Sequence, residues 1–428
     1  MKKTGLLILN LFISILMNYA QTGVWSGDLE VMGNRIPLVF HLEEDKSTVD
    51  SPAQGVKGIP IRFEKNENGE ISISIPMIGA GFEGIYENDQ IKGTFKQNGL
   101  SLPLTLLPGE VKPKRPQTPQ PPFPYSEEEV SFINGDATLK GTLTLPGNYS
   151  QDTPVVVMIT GSGLQNRDEE VFDHKPFAVI ADVLAREGIA SLRYDDRGFG
   201  ESTGDPVNCT TEDLKNDALA GINLLRKRFQ KVGVLGHSEG GTIAFMLAAD
   251  KNADFIISLA GMVISGKETL MQQNQLALSE AGYSKETVNE YCRLLSKIFD
   301  NNDTSINEIN SSNLPVDLKK NLQIVKQQTQ TPYMSYFISL DLRDILKEIN
   351  CPVLALNGTK DKQVFYKDNL DALQKGLNPN KKNHIQSFDG LNHLFQHCNT
   401  GSITEYATIE ETISPEVLKC ISDWIISL

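Results

Sequence analysis

Short segments in which hydrophobic and polar residues alternate recur between residues 25 and 107, separated by turn residues, as in NENG and QNG. Alternation with a period of two residues is typical of strands that bury one face, and short turns join antiparallel neighbours. The pattern predicts a small antiparallel β domain over residues 21–107, built as a meander, an open barrel or a sandwich. The segments are VWSGDLEV, IPLVFHLEE, IPIRFEKNE, ISISIPM, GFEGIYEND, IKGTFKQN and LSLPLTLLP.

After Tyr125 the pattern changes to apolar strands that alternate with helical segments. This alternation is typical of a mostly parallel sheet covered by helices on both faces. The segments PVVVMIT and DFIISLAG are continuously apolar, as expected of strands buried on both sides. We therefore expect an α/β domain with eight strands over residues 126–428. Strands are predicted at 129–133, 138–145, 155–160, 190–194, 231–236, 254–260, 352–357 and 384–388.

The strand pattern stops between residues 262 and 346, where polar-faced helical segments such as SKETVNEYCRLLSKIFDN take over before CPVLALNG resumes the sheet. Insertions of this kind cover active sites in α/β enzymes. We expect a helical cap over residues 262–346, with a purely stabilising excursion as the alternative.

Residues 108–125 carry seven prolines, which fix the backbone angle φ and favour extended geometry over a packed element. The composition predicts a semi-rigid linker between the two domains. A docking peptide for a proline-binding partner is the alternative.

The first 20 residues have the composition of a signal peptide. Lys2 and Lys3 precede an apolar run over residues 6–17, and Asn18, Tyr19 and Ala20 follow it. The run is shorter than the roughly 20 apolar residues that span a membrane. We expect an exported protein, periplasmic or extracellular, without a membrane anchor.

Charge and cysteine usage exclude several function classes. The formal net charge of −14 argues against nucleic acids or anionic membrane surfaces as partners. The five cysteines are widely spaced and odd in number, and no Cys/His cluster suggests a metal. Since nucleotide-binding and metal motifs are also missing from the sequence, we expect neither cofactor nor metal.

A candidate nucleophile lies in KVGVLGHSEGGTIAFMLAAD. Residues 236–240 read G-x-S-x-G, between an apolar strand and a helix rich in Ala, Leu and Met, which is the context that a nucleophile elbow requires. Glycines at this spacing permit a tight, strained turn that exposes the serine. The motif predicts Ser238 as nucleophile and the α/β-hydrolase fold for this domain.

A serine hydroxyl needs a base, and in this fold the acid and then the histidine follow the serine along the chain. Of the six histidines, His393 in DGLNHLF lies just past the last predicted strand, with His397 as the runner-up. Asp361 follows the penultimate strand in CPVLALNGTKDKQV, and Asp389 competes with it. We predict that Asp361 orients His393 and stabilises the imidazolium that forms.

Attack on a carbonyl produces an oxyanion that backbone N–H groups stabilise. The N–H of Glu239 begins the helix after the elbow, where the helix dipole favours negative charge. The glycine turn after PVVVMIT offers the second donor, and we choose the N–H of Ser162, with Gly163 or Leu164 as alternatives. In the nearby segment SLRYDDRGFGES, we expect Asp–Arg pairing to hold loops together under the site, with direct substrate contact as the alternative.

These motifs together resemble the EstD-like esterases, bacterial two-domain α/β hydrolases with an exported N-terminal β domain and a serine-aminopeptidase-like catalytic domain. The resemblance covers nearly the whole mature chain and implies hydrolysis of small acyl esters through Ser238, Asp361 and His393, without a cofactor. Such proteins often have His where this chain has Thr160, a departure expected to matter little because backbone groups bind the oxyanion. The residues that carry the resemblance are DSPAQGVKGIP, RPQTPQPPFPY, EEVSF, TGSGLQNRD, RYDDRGFGES, GHSEGG, NGTKD, GLNHLF and EYATIEETISPEVL.

Three functions remain open at this point. The first is an esterase for small natural esters, such as acylated sugars. The second is a serine aminopeptidase or amidase with the same triad, whose acidic pocket for a substrate amine would come from Glu268, Glu280 or Glu286. The third is a glycan- or lipid-binding protein with a vestigial hydrolase domain, which an intact triad argues against.

Overall fold

The computed structural model describes residues 22–31, 34–43, 45–52, 56–66, 68–97, 99–110, 114–300 and 306–428. The predicted signal peptide of residues 1–20 lies outside these residues. The chain divides into two compact units, of which unit 1 comprises Met1–Lys114 and Ser402–Glu410, and unit 2 comprises Arg115–Gly401 and Glu411–Leu428.

Unit 1 contains one antiparallel sheet in the order β4-β3-β2-β1-β9-β8-β7-β6-β5. The two edge strands, β4 and β5, are separated in the chain by Ile61 alone, so the sheet curves into a near-barrel. This confirms the predicted antiparallel β domain. The strands are β1 (Gly23–Val31), β2 (Asn34–Leu42), β3 (Thr48–Ser51), β4 (Val56–Pro60), β5 (Arg62–Lys65), β6 (Glu70–Ile75), β7 (Ala80–Glu87), β8 (Gln90–Gln97) and β9 (Leu100–Pro108).

The alternation seen in the sequence becomes the core of this near-barrel. In β6, Ile71, Ile73 and Ile75 are buried while the residues between them are exposed. They pack with Phe40 and Phe82, whose rings are fully buried. The buried face of such strands forms the core of this near-barrel.

Unit 2 contains an eight-stranded mixed sheet in the order β10-β11-β13-β12-β14-β15-β16-β17. The pairs β10/β11 and β11/β13 are antiparallel, and the remaining pairs are parallel. All eight predicted strands are present, which confirms the α/β-hydrolase fold class. They are β10 (Ser126–Asn134), β11 (Ala137–Leu145), β12 (Val155–Ile159), β13 (Ala190–Tyr194), β14 (Val232–His237), β15 (Ile256–Leu259), β16 (Val353–Gly358) and β17 (His384–Phe388).

Helices cover both faces of this sheet, and five of those described lie between β15 and β16, where the cap was predicted. The cap helices share their own core, which includes Tyr291, Leu294 and Leu295. The helices are α1 (Pro176–Arg186), α2 (Thr211–Leu225), α3 (Glu239–Ala249), α4 (Gly266–Glu280), α5 (Lys285–Phe299), α6 (Ile306–Ser311), α7 (Val316–Gln328), α8 (Pro332–Ser339), α9 (Tyr366–Gly376), α10 (Ile403–Tyr406) and α11 (Pro415–Ile426).

The proline-rich segment is bonded to unit 2 rather than standing apart from it. The Arg115 guanidinium donates to the carbonyl of Phe172 at 2.8 Å, and the Gln117 amide donates to the carbonyl of Ile413 at 2.7 Å. The boundary between the units therefore falls at Lys114, inside the predicted linker. The segment Ser402–Glu410, expected in the catalytic domain, groups with the β strands of unit 1 instead.

Candidate active site

Ser238 stands at the sharp turn between β14 and α3. Its backbone angles are φ 54° and ψ −118°, in a region that non-glycine residues rarely adopt. A Cβ on Gly236 would lie 2.0 Å from the carbonyl oxygen of Gly240, and one on Gly240 would lie 2.0 Å from that of Ile159. The glycines are therefore required by close backbone approach, and the strained turn leaves Ser238 half-exposed.

Asp361 and His393 meet across the loops that follow β16 and β17. The Nδ1 atom of His393 lies 2.7 Å from Oδ2 of Asp361, and both residues are 3% exposed. The other oxygen of Asp361 accepts the backbone N–H groups of Gln363 and Val364 at 2.8 and 2.9 Å. The carboxylate is thus fixed by its own turn and holds the imidazole in one orientation.

The loop that carries His393 is closed by its own side chains. Leu391 and His397 form an isolated β bridge, and Oδ1 of Asn392 accepts the backbone N–H groups of Leu394 and Gln396. An Asn side chain that satisfies two backbone donors stabilises a tight turn. The loop that carries His393 is therefore held by hydrogen bonds within residues 391–397.

The competing residues occupy other environments. His397 has a side chain 62% exposed and pairs with Glu411 at 2.9 Å. Asp389 is exposed and accepts the Thr359 hydroxyl at 3.0 Å. Among the described residues, neither contacts the Asp361–His393 pair by a hydrogen bond.

The two predicted oxyanion donors have unpaired backbone N–H groups. The N–H groups of Ser162 and Glu239 meet no acceptor in the described parts of the chain, and those of Gly163 and Leu164 likewise meet none. A Cβ on Gly161 would lie 3.2 Å from Cβ of Ser238, so the glycine turn lies directly against the nucleophile. Such donors beside a nucleophile are what an oxyanion hole requires.

A buried carboxyl group supports this glycine turn from below. Asp196 accepts the hydroxyl of Thr160 and the backbone N–H of Gln165, both at 2.8 Å. Burial raises the pKa of Asp196 to about 8, although these hydrogen bonds lower it. Thr160, the departure noted in the sequence, therefore has a role of its own in fixing the turn.

Asp195 and Arg197 of the SLRYDDRGFGES segment both form ion pairs, in each case with a residue outside that segment. Asp195 pairs with Arg167 at 2.8 Å, and Arg197 pairs with Asp217 at 2.7 Å. Arg167 belongs to the glycine-turn loop and Asp217 to α2. Two residues of one loop thus bind two different elements to the end of β13.

Sequence reasoning missed a second carboxylate–imidazole pair beneath the elbow. Oε1 of Glu169 lies 2.9 Å from Nδ1 of His237 and accepts the backbone N–H of Gly161 at 2.8 Å. Nε2 of His237 lies 2.9 Å from the backbone carbonyl oxygen of His393. Burial lowers the pKa of His237, but the charge and hydrogen bond of Glu169 outweigh it and raise the pKa. No motif pairs Glu169 with a residue 68 positions away.

Tyr333 of the cap is hydrogen-bonded to Glu239, the residue that follows Ser238. The Tyr333 hydroxyl donates to Oε2 of Glu239 at 2.5 Å, and the Thr211 hydroxyl donates to the other oxygen at 2.7 Å. Burial and the Glu239 charge raise the pKa of Tyr333, so the phenol stays protonated and donates. The residue after the nucleophile is therefore bonded to α8 of the cap.

The described residues hold no group of three or more His, Cys, Asp or Glu side chains arranged for a metal. None of the five cysteines, all of them described, forms a disulfide. No helix among the described residues is long and apolar enough to cross a membrane.

Comparison with known proteins gives two kinds of relatives. The chain is 30% identical to the esterase EstD of Thermotoga maritima over 279 residues, which are 64% of this chain and 61% of that protein. It is 27% identical to an acyl transferase of Photobacterium leiognathi over 171 residues, 37% of this chain and 52% of that one. The chain thus spans about half to three fifths of the length of these relatives.

Among solved structures, Est1E from Butyrivibrio proteoclasticus is similar with a TM-score of 0.42 and 17% identity, over 70% of this chain and 98% of that one.

Residues 174–397, just over half of the chain, match the serine aminopeptidase S33 family. This match includes the elbow, Asp361 and His393. The chain therefore belongs to the serine aminopeptidase S33 family of α/β hydrolases.

Proposed function

We propose that this protein is a carboxylesterase that cleaves small acyl esters, such as acylated sugars, through an acyl-enzyme on Ser238. The observation that carries the proposal is the buried 2.7 Å contact between Asp361 and His393, on loops beside a strained serine turn. The similarity to an esterase at 30% identity supports it.

In the first half of the reaction, His393 takes the proton of Ser238 as the hydroxyl oxygen attacks the ester carbonyl carbon. The carbonyl oxygen becomes an oxyanion and accepts hydrogen bonds from the N–H groups of Ser162 and Glu239. When the tetrahedral intermediate collapses, the C–O bond to the alcohol breaks and His393 gives its proton to the leaving oxygen.

In the second half, water attacks the acyl-enzyme while His393 accepts one of its protons. The bond between the acyl carbon and the Ser238 oxygen then breaks, and the proton returns to Ser238. Asp361 stabilises the imidazolium in both halves without taking its proton.

The charges of the cap favour esters over aminoacyl substrates. An aminopeptidase needs an unpaired carboxylate to bind the substrate ammonium group. Glu268 is paired with Arg343 at 2.7 Å and Glu280 with Lys362 at 2.6 Å. Glu286 is exposed at the start of α5. None of the three side chains proposed for an amine pocket is both buried and unpaired.

The test is turnover of a panel of p-nitrophenyl esters of increasing acyl length beside aminoacyl p-nitroanilides, with Ser238→Ala as the matched control. We expect the highest kcat/KM on short acyl esters and a loss of about 10⁴-fold or more in Ser238→Ala. A higher kcat/KM on the aminoacyl amides would favour the aminopeptidase instead.

We also propose that residues 1–20 direct export to the periplasm or the extracellular space, on the charge and apolar pattern of that segment. Expression of the full chain with cell fractionation tests this. A shortened protein in the periplasmic or extracellular fraction is expected. Retention of the full-length chain in the cytoplasm would contradict export.

A further inference from the structure

The Glu169–His237 pair joins three parts of the active site that lie far apart in the chain. Glu169 bonds the backbone N–H of Gly161, which precedes the predicted oxyanion donor Ser162. His237 directly precedes Ser238 and bonds the backbone carbonyl of His393. One pair of side chains therefore contacts the loops of the oxyanion hole, the nucleophile and the base.

The hydrogen bonds of His237 bear on its protonation state. Its Nδ1 faces a carboxylate oxygen and its Nε2 faces a carbonyl oxygen, and both partners are acceptors. A neutral imidazole donates from one nitrogen only. An imidazolium can donate both bonds, so this geometry favours the protonated form of His237, in a site where both residues are less than a tenth exposed.

The backbone of Glu169 has a strained conformation. Its φ is +52°, a left-handed value that a non-glycine residue adopts at a cost in free energy. The residue is 2% exposed, and its position on the loop directs the carboxylate to Gly161 and His237. The strain is offset by the bonds that this one geometry permits.

We propose that Glu169 and His237 are positioning residues, which act together to hold Ser162, Ser238 and His393 in their reactive arrangement. This role rests on the proposed hydrolase function. The pair makes no hydrogen bond to the side chains of Asp361 or His393, although the His237 and His393 rings lie 4.7 Å apart between centroids. Its hydrogen bonds reach the loops through the backbone of Gly161 and His393. Loss of the pair displaces reacting groups without removing any of them.

The kinetic consequence is specific. A misplacement of about 1 Å at a catalytic group can cost about 10²-fold in rate. Because ground-state contacts with the substrate remain, kcat falls while KM changes little. Loss of stability alone would lower the amount of active enzyme and leave the rate of each active site unchanged.

The experiment compares wild-type protein with Glu169→Gln, which keeps the shape of the side chain but leaves a neutral His237 one donor short. We measure kcat and KM on a short p-nitrophenyl ester, with active sites counted by a fluorophosphonate probe and folding checked by thermal melting. The expected result is a fall of about 10²-fold in kcat per active site, with KM changed by less than about threefold. His237→Gln carries the same measurement if Glu169→Gln unfolds at the assay temperature.

Glu411→Gln is the matched control, because it removes the carboxylate of another carboxylate–imidazole pair, with His397. Its kcat should stay within about twofold of wild type. In the double variant Glu169→Gln/His237→Gln, the loss should be close to that of either single change, as for residues that act as a unit.

An active wild type with an equally active Glu169→Gln variant overturns the positioning role and leaves the proposed function standing. Additive losses in the double variant also overturn it. A wild-type protein without ester or amide turnover overturns the proposed function, and the positioning role falls with it.

Discussion

Two carboxylate–imidazole pairs involve the loop that follows β17. Asp361 contacts His393 at 2.7 Å, with side chains that are 0% and 4% exposed. Glu411 contacts His397 at 2.9 Å, with the imidazole 62% exposed. Charges interact far more strongly where water is excluded, and an exposed pair contributes about 0–1 kcal/mol. A carboxylate–imidazole pair is thus buried at the proposed catalytic site and exposed in the other case, although the two imidazoles are only four residues apart.

The largest contrast should appear between His393→Ala and His397→Ala. We expect a loss of about 10⁴-fold or more in kcat/KM for the first, because base and acid are removed together. The second should stay within about twofold of wild type, since an exposed pair contributes little. Steady-state kinetics on one ester measure both variants. Equal losses would show that His393 is not distinguished from His397 as the base.

We expect the same contrast in activity between variants of Asp361 and Asp389. Asp361→Asn is expected to lower kcat by about 10⁴-fold, because the amide no longer favours the reactive tautomer of His393. Asp389→Asn alters an exposed contact with Thr359 and serves as the control. A similar decline in both variants would show that Asp361 is not the orienting acid.

Two neighbouring buried aspartates have pKa values shifted in opposite directions. The pKa of Asp195 is lowered mainly by Arg167, against the effect of burial, whereas burial raises that of Asp196 to about 8. The unfolded pKa is about 3.9, so between about pH 4 and pH 8 the folded protein holds a proton that the unfolded chain has released. Asp196 therefore makes the free energy of unfolding fall as pH rises through this window.

Asp196→Asn should remove that contribution. Denaturant unfolding at pH 6 and pH 8 measures it, and we expect the variant to lose less stability than wild type between the two. Identical pH dependence in both proteins would mean that Asp196 is already ionised at pH 6.

Two tyrosines on α8 offer a smaller test. Tyr333 donates to the buried Glu239, and Tyr336 donates to Glu212 at 3.1 Å. Tyr333→Phe leaves a buried carboxylate one donor short and should lower the free energy of unfolding by about 1.5–3 kcal/mol. Tyr336→Phe should cost about 1 kcal/mol or less. Chemical denaturation compares them, and a larger cost for Tyr336→Phe would contradict this ranking.

Removal of the N-terminal strands β1–β9 should have the smallest effect on small substrates. A chain that begins at Lys114 keeps the bonds of Arg115 and Gln117 to unit 2, which a start at Tyr125 would lose. We expect kcat on a short ester to be nearly retained and KM to rise on larger substrates, as when uniform binding is lost. A folded but inactive truncated chain would contradict this expectation.

The sequence predicted features that neighbouring residues encode. The eight strands follow from apolar runs, and the elbow follows from Gly236 and Gly240, whose spacing leaves room for close backbone approach. The order of serine, acid and histidine selected Asp361 and His393, which the structure brings together. Local pattern and chain order were sufficient for these.

Long-range contacts were beyond the sequence. Glu169 meets His237 across 68 residues, and Arg197 bonds Asp217 instead of a neighbouring aspartate. The grouping of Ser402–Glu410 with unit 1 likewise depends on tertiary packing. None of these contacts leaves a periodicity or a fixed spacing in the sequence, because the folded sheet determines where each partner lies.

Covalent labelling of Ser238 tests the proposed mechanism most simply. Purified protein is treated with a fluorophosphonate, and the modified residue is located by mass spectrometry while ester turnover is followed. We expect one phosphonate adduct, on Ser238, formed in step with the loss of turnover and strongly slowed in His393→Ala. An adduct on another residue, or full turnover with Ser238 modified, would contradict it.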